Sequence, residues 1–380
     1  MIYLDSAATT AVRREVLEAM WPYMTGDFGN PSSHHTVGES AARALAGARS
    51  AVASWLGCRA GEVTFTSGGT EADNLAIKGI ALGNPRGRHI VTTAIEHEAV
   101  LESVDYLKRM HGFAVTLLPV DRDGLVDPEQ LAVALRDDTT LVSIMYANNE
   151  VGTVQRIAEL ARVCHERGVP MHTDAVQAAG WLSLDVRELG VDALSVSGHK
   201  IGAPKGTGAL FVRGRLPLEP VLHGGGQERG RRSGTENVAG AVALATAARL
   251  VEQGRETNAQ TARDARDSFI EHVLARVPAA QLTGHPSSRL PASASFVFDG
   301  TSGESVLLEL ERRGVVSSSG SACAAGSDEA SHVLVALGYP EVLAQTAVRF
   351  SWSPDVTGEQ LAAAAASVVE AVEAVGVLAT

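Results

Sequence analysis

Cysteine is scarce in this chain: three among 380 residues, at positions 58, 164 and 323. An odd number at scattered positions makes neither a disulfide framework nor the paired spacing of a zinc site. Long apolar runs are missing too, so no segment is expected to span a bilayer. The first residues, Met-Ile-Tyr-Leu-Asp-Ser, lack the basic-then-apolar order of a signal peptide. Positive charge is in deficit, with 32 Lys and Arg against 44 Asp and Glu and a net charge of −12. That balance argues against a broad nucleic-acid footprint or a membrane-binding surface. There is neither an internal repeat nor a low-complexity linker. Together these absences predict a cytoplasmic protein of a reducing compartment, with no direct nucleic-acid or membrane partner.

What is present, 45% hydrophobic residues and 38 glycines with only 4% aromatics, suits a loop-rich α/β enzyme. The length allows two domains. Short apolar runs predict strands at 62–66, 89–93, 113–119, 141–147, 169–173, 193–196 and 208–212. Helical periodicity fills 36–56, 154–167 and a stretch from about 236, while residues 1–12 read as irregular. From about Asn258 the pattern changes. A long amphipathic helix reaches Val277, and then strands at 293–298, 315–317 and 346–352 alternate with helices at 304–313, 329–337 and from 357. This second part reads as a smaller α+β unit.

The chemistry is concentrated at strand ends, where open α/β sheets bind their ligands. The 169–173 run is followed by Asp174 and Gln177, and the 193–196 run by Ser197, His199 and Lys200. An acid, an amide and a lysine offered to one crevice suit pyridoxal phosphate. The lysine amine forms a Schiff base, and the acid pairs with the pyridine nitrogen. Ser-Gly-His-Lys alone reads more readily as an ordinary turn with a solvated lysine. Ser67-Gly68-Gly69-Thr70 opens a helix near Glu71 and reads either as a phosphate cup or as a helix start capped by Ser67 or Thr70. His97 follows the 89–93 strand and so falls at the same edge; Asn148-Asn149-Glu150 follows the 141–147 strand. The polar loop from His223 to Thr235, with Arg229, Arg231 and Arg232, is either a solvated loop or an anion-binding mouth.

Several stretches, in order, carry a family resemblance: Tyr3-Leu4-Asp5 with Ala8-Thr9-Thr10, Phe28-Gly29-Asn30-Pro31-Ser32, and Thr66-Ser67-Gly68-Gly69-Thr70-Glu71. Glu96-His97, Asn148-Asn149-Glu150-Val151-Gly152, Asp174 with Gln177, and Ser197-Gly198-His199-Lys200 follow. Arg232-Ser233-Gly234-Thr235, Ser319-Gly320-Ser321-Ala322-Cys323 and Arg349-Phe350-Ser351 complete the set. The chain resembles the cysteine desulfurases of the NifS/IscS type, class-V aminotransferases among the fold-type I pyridoxal phosphate enzymes.

The resemblance implies an α/β architecture. A large cofactor-binding domain over 13–257 would hold a mostly parallel seven-stranded sheet. A smaller α+β domain would be made of 1–12 with 258–380 and carry the cysteine loop. It implies that Lys200 holds the cofactor and moves protons at the substrate α-carbon, that Asp174 pairs with the ring nitrogen, and that Gln177 meets the phenolic oxygen. His97 would stack on the ring and serve in acid–base steps. Gly69, Thr70, Ser197 and His199 would hold the phosphate, with Thr235 reaching that of the neighbouring subunit in a homodimer. Asn149 would contact cofactor and substrate, and Arg349 the substrate carboxylate, whose two oxygens match a guanidinium fork.

Cys323 would attack the sulfur of bound L-cysteine, keep it as a persulfide and release alanine. It sits among Ser, Gly and Ala with little to bury, so a mobile loop is expected. Cys58 and Cys164 read as structural. The sulfur would pass to an acceptor protein, an iron–sulfur scaffold or a tRNA thiolase. No metal is expected in the free enzyme, with Cys323 a possible shared cluster ligand. The Ala-Ala-Gly after Cys323 departs from the Thr-Ser-Ala of some relatives, which bears on the partner. A related cofactor enzyme, an aminotransferase or a selenocysteine lyase, would keep Lys200 and Asp174 and give Cys323 no essential role.

Overall fold

The computed structural model describes residues 1–84, 86–319 and 330–378. The chain opens on a two-residue strand, β1 (Ile2–Tyr3). Seven strands follow: β2 (Val63–Thr66), β3 (His89–Thr93), β4 (Ala114–Leu118), β5 (Thr139–Ser143), β6 (Met171–Asp174), β7 (Ala193–Ser197) and β8 (Gly208–Val212). They form one sheet in the order β2-β8-β7-β6-β5-β3-β4. Its pairs are parallel from β4 across to β7, and only β8 runs against its neighbours β7 and β2. This is the mostly parallel seven-stranded sheet of the expected α/β class.

Most of these strands are buried along their length, so both faces are covered, whereas β4 is partly exposed. Neighbouring residues enter different cores. Val91, Val142 and Phe211 join one, with the helices Thr36–Trp55 and Ile157–Glu166. Ile90, Leu141 and Leu210 join the other, with Gly69–Gly83 and Glu98–His111. Each fully buried Leu, Ile, Val or Phe contributes roughly 1.5–3 kcal/mol.

Two expectations need correction. The strand expected at 141–147 leaves the ladder after Ser143, and the Met145 N–H donates instead to Glu96 Oε1 at 3.0 Å. The two helices expected on either side of Asn258 are one helix, Val238–Arg276, about 58 Å long. Gly254 alone, at about 1 kcal/mol against Ala, does not stop it. Its first half packs in the sheet core through Leu244 and Val251, its second half in another core through Phe269, Ile270 and Val273.

That other core belongs to β9 (Ala280–Leu282), β10 (Ser293–Phe298), β11 (Val315–Val316) and β12 (Val348–Ser351). The antiparallel order is β12-β10-β9, while β11 pairs in parallel with β1. Phe269, Phe296, Phe350 and Trp352 pack ring against ring here. Leu4 joins them, which explains why the N-terminal segment is not irregular throughout. The helices Arg14–Met20 and Glu98–His111 were not expected from sequence. Ile95, Met145 and Val151 pack on Val297, Val333 and Leu334 in a further cluster of buried side chains.

Candidate active site

Strand β2 is parallel to β7 across the antiparallel β8, so Thr66, Asp174 and Ser197 end at the same edge of the sheet. After β2 the chain turns at Gly68, whose φ of +154° favours glycine, and the helix Gly69–Gly83 begins with no side-chain cap. The capped alternative is therefore not what forms: Thr70 is exposed, and the first N–H groups of the helix have no intrahelical acceptor. A Cβ at Gly69 would lie 2.7 Å from Val176 Cγ2, so no side chain fits there. Ser197 faces this turn, its Cβ 3.5 Å from the same imagined Cβ. Its hydroxyl is buried without a hydrogen-bond partner among the described residues. Bare N–H groups at the positive end of a helix, beside an unsatisfied buried hydroxyl, fit a phosphate group.

Asp174 is the last residue of β6 and is buried; its Oδ1 accepts from the Val176 N–H at 2.8 Å. Burial raises its pKa, while the charges of His97 and Lys200 and the Val176 N–H pull it down. Lys200 follows β7 in a single 3-10 turn, and its Nζ donates to the carbonyls of Ala8 at 2.8 Å and of Ala7. Gln177 Nε2 donates to the same Ala7 oxygen at 3.0 Å. Thr9 Oγ1 lies 3.1 Å from His199 Nδ1, and Thr10 Oγ1 donates to the His199 carbonyl at 2.8 Å. The N-terminal segment thus straps Lys200, Gln177 and His199 together, a role its irregular sequence did not announce. Burial, with Lys200 and Lys205 nearby, lowers the His199 pKa to about 4.

His97 caps the helix Glu98–His111: its Nδ1 accepts from the Ala99 N–H at 3.0 Å, so in the neutral ring the proton sits on Nε2. Asn148 is structural. It accepts from the Glu150 and Val151 N–H groups and donates to the Ile95 carbonyl, all at 2.9 Å. That leaves the next residue, Asn149, to line a cavity of about 550 Å³ with Lys200, Gln177, Ser6 and Ser351. Arg349, on β12, is 3% exposed. Its Nη1 donates to the Asn149 carbonyl at 2.9 Å and its Nη2 to Asp5 Oδ1 at 2.8 Å, while Nε has no hydrogen-bond partner among the described residues. Asp5 is a site residue that the sequence reading passed over. Its pairing with residue 349 is visible only once β10 and β12 bring the strap alongside Ser351.

Thr235 lines a smaller cavity of about 190 Å³ with Ser67, Thr66 and Arg232 of the same chain, and Arg232 Nε pairs with Glu71 at 2.8 Å. Cys323 lies outside the described residues. The described chain on either side of it is tied to the site. The Ser318 backbone pairs with that of Arg349, Ser331 Oγ donates to Glu150, and His332 Nε2 lies 3.1 Å from the Glu96 carbonyl. The other two cysteines are poor nucleophiles: burial pushes Cys58 and Cys164 each up to about 12.

Comparison with known proteins fits this geometry. The aminotransferase class-V family model matches residues 2–363. The chain is 48% identical over 361 residues to a cysteine desulfurase IscS of Methanosarcina thermophila, covering 95% of this chain and 89% of that protein. It is 45% identical over 361 residues to a cysteine desulfurase of Cereibacter sphaeroides, covering 95% and 92%. A solved structure described as a NifS-like protein superposes with a TM-score of 0.90 at 36% identity, over 97% of this chain and 98% of that one. No helix among the described residues is long and apolar enough to cross a membrane.

Proposed function

We infer that this chain, which belongs to the class-V aminotransferase family and within it to the cysteine desulfurases, takes the sulfur from L-cysteine and leaves L-alanine, with pyridoxal phosphate as its cofactor. One juxtaposition carries the reading. The Lys200 amine, the buried Asp174 carboxyl and the uncapped helix start beside the Ser197 hydroxyl meet at one sheet edge. When bound, pyridoxal phosphate supplies an electron sink for the bonds at the substrate α-carbon.

The residues then divide the work. Lys200 would hold the cofactor and move a proton at the α-carbon. Asp174 would keep a negative charge under the ring nitrogen, and Gln177 would face the phenolic oxygen. His97 would lie on the ring and exchange protons through Nε2. The Gly69 and Thr70 N–H groups, Ser197 and His199 would take the phosphate, and Thr235 would reach that of the neighbouring subunit. Arg349 and Asn149 would orient the substrate carboxylate. Cys323 would take the sulfur: the substrate Cβ–S bond breaks, an S–S bond forms at Cys323 and Cβ gains a proton, so a cysteine and a thiol become alanine and a persulfide.

We further propose a large part over 13–257 and a smaller one over 1–12 with 258–380, a homodimer, and delivery to an iron–sulfur scaffold or a tRNA-thiolating protein in the cytoplasm. The dimer is supported by Leu17, Trp21, Met24 and Phe28, which are at least half exposed near the start of the chain.

Purified protein loaded with pyridoxal phosphate and given L-cysteine with a dithiol is expected to release alanine and sulfide in equal amounts. Amino transfer to a keto acid without alanine from cysteine would identify an aminotransferase instead, and turnover of selenocysteine alone a selenocysteine lyase. Two substitutions refine the assignment. Ser197→Ala is expected to weaken cofactor binding about tenfold, in line with ~1.5 kcal/mol for a hydrogen bond to a charged group, read by absorbance titration of the apoenzyme. Arg349→Lys keeps the charge but loses the fork. It is expected to lower kcat/KM for cysteine roughly 10- to 100-fold, with cofactor affinity unchanged.

A further inference from the structure

Beneath Asp174 lies a layer of polar side chains that the reaction does not call on. Asp73, from the helix behind the phosphate cup, is 1% exposed; Glu96, after β3, is 0% exposed; Asp174 itself is 6% exposed. His172, two residues before Asp174 on β6, is buried between the Ser143 and Ser195 hydroxyls, each 2.9 Å from one ring nitrogen. Asp73 Oδ1 lies 3.7 Å from His172 Nε2 and has no hydrogen-bond partner among the described residues. Glu96 Oε1 accepts from Thr93 Oγ1 at 2.8 Å and from the Met145 N–H, while Oε2 has no hydrogen-bond partner among the described residues.

Three buried carboxyls share this layer, and the cations that reach it favour Asp174. Lys200 and His97 both act on Asp174, and His97 also acts on Glu96. Among the described residues, no cation is among the groups that act on Asp73. Burial and the charges of Asp174 and Glu96 raise it against the pull of the Ser195 hydroxyl. Burial pushes His172 down to about 3, so the imidazole is neutral and offers Asp73 no compensating charge. Buried carboxylates that repel one another do not all ionise.

We propose that Asp73 and Glu96 are kept protonated in the folded protein and act as positioning residues that confine the layer's single negative charge to Asp174. This rests on the reading of Asp174 as the acid under the cofactor's ring nitrogen. A second charge in the layer would raise the proton affinity of Asp174 and draw the proton off that nitrogen. Two neutral acids keep Asp174 a weak base and a strong ion-pair partner.

The test uses the holoenzyme and its Asp73→Asn and Glu96→Gln variants, both neutral and nearly isosteric. Infrared difference spectra against wild type at pH 7 are expected to show each substitution removing a protonated-acid carbonyl band while leaving carboxylate bands in place. Loss of a carboxylate band instead would overturn the proposal. Should a variant fail to fold, wild type labelled with carbon-13 in its aspartate or glutamate carboxyls answers the same question by the shift of that band.

Thermal midpoints give a second readout. Glu96 is pushed up to about 8 by burial, against about 4.3 in an unfolded chain. The folded state therefore binds the extra proton, and wild type loses stability as pH rises between those values. The advantage of Glu96→Gln is expected to grow from pH 5 to pH 8 and then level; a constant gap would sink the assignment for that residue. The alkaline limb of the kcat profile is expected to move upward in Glu96→Gln, which a purely structural role would not do. Absence of desulfurase activity in wild type would defeat the functional reading, while the infrared bands would still decide the protonation.

Discussion

Lys200→Ala is expected to lower turnover of L-cysteine by at least about four orders of magnitude, the combined scale of losing a covalent attachment and a proton-transfer group. The lysine sits where both tasks are within reach. Its turn follows β7 directly, so the backbone is fixed by a fully buried strand. The Ala7 and Ala8 carbonyls accept from Nζ and hold it at the edge where Asp174 and Ser197 end. Removing the side chain leaves those carbonyls beside the cavity of about 550 Å³, where water can satisfy them. The fold should therefore survive, with a thermal midpoint within a few degrees of wild type. The measurements are alanine release and the absorbance of the bound cofactor, whose lysine-linked band should vanish while the phosphate cup still retains the cofactor on a desalting column. Residual turnover above about one hundredth of wild type would mean that another base works at the α-carbon. His97, whose charge acts on the same carboxyl, would be the first candidate.

How much of this could be read from the sequence follows from the kind of interaction that makes each part. The parallel strands are legible because burial on both faces favours short stretches built around apolar residues, such as Ile90 and Val91 in β3 and Ala193, Leu194 and Val196 in β7. Residues just past those runs, Asp174, Ser197 and Lys200, are legible because sheet topology alone sends them to one edge. What pairs across long separations is not legible. Asp5 meets Arg349 across 344 residues, and Ala7 meets Gln177 across 170, through contacts with no local periodicity. Asp73 and His172 are hidden for a different reason. Each sits in an ordinary helix or strand, and only the fold brings Asp73 Oδ1 within 3.7 Å of the imidazole. The join at Asn258 was misplaced because a change of packing partner along one continuous helix looks, in sequence, like a change of element.

Cys323→Ser should leave a protein that binds cofactor and exchanges the α-proton of L-cysteine but carries no persulfide. Alanine release would fall by at least about a thousandfold. The first half of the expectation follows from the separation of roles: Lys200, Asp174, Ser197 and Arg349 are held by strand ends and the N-terminal strap. The second half follows from thiol chemistry. A serine hydroxyl is far too weakly acidic to supply an anion near neutral pH, and oxygen does not take sulfur as a stable adduct as thiolate does. Nor can another cysteine of the chain stand in. Cys164 is fully buried, and burial holds it and Cys58 at about 12, leaving a negligible thiolate fraction near pH 7. With sulfur-35 cysteine, wild type should retain about one reductant-labile label per chain and the variant none, while α-proton exchange proceeds in both. Label retained on Cys323→Ser, removable by a dithiol, would show that the sulfur rests elsewhere and would take the persulfide away from Cys323.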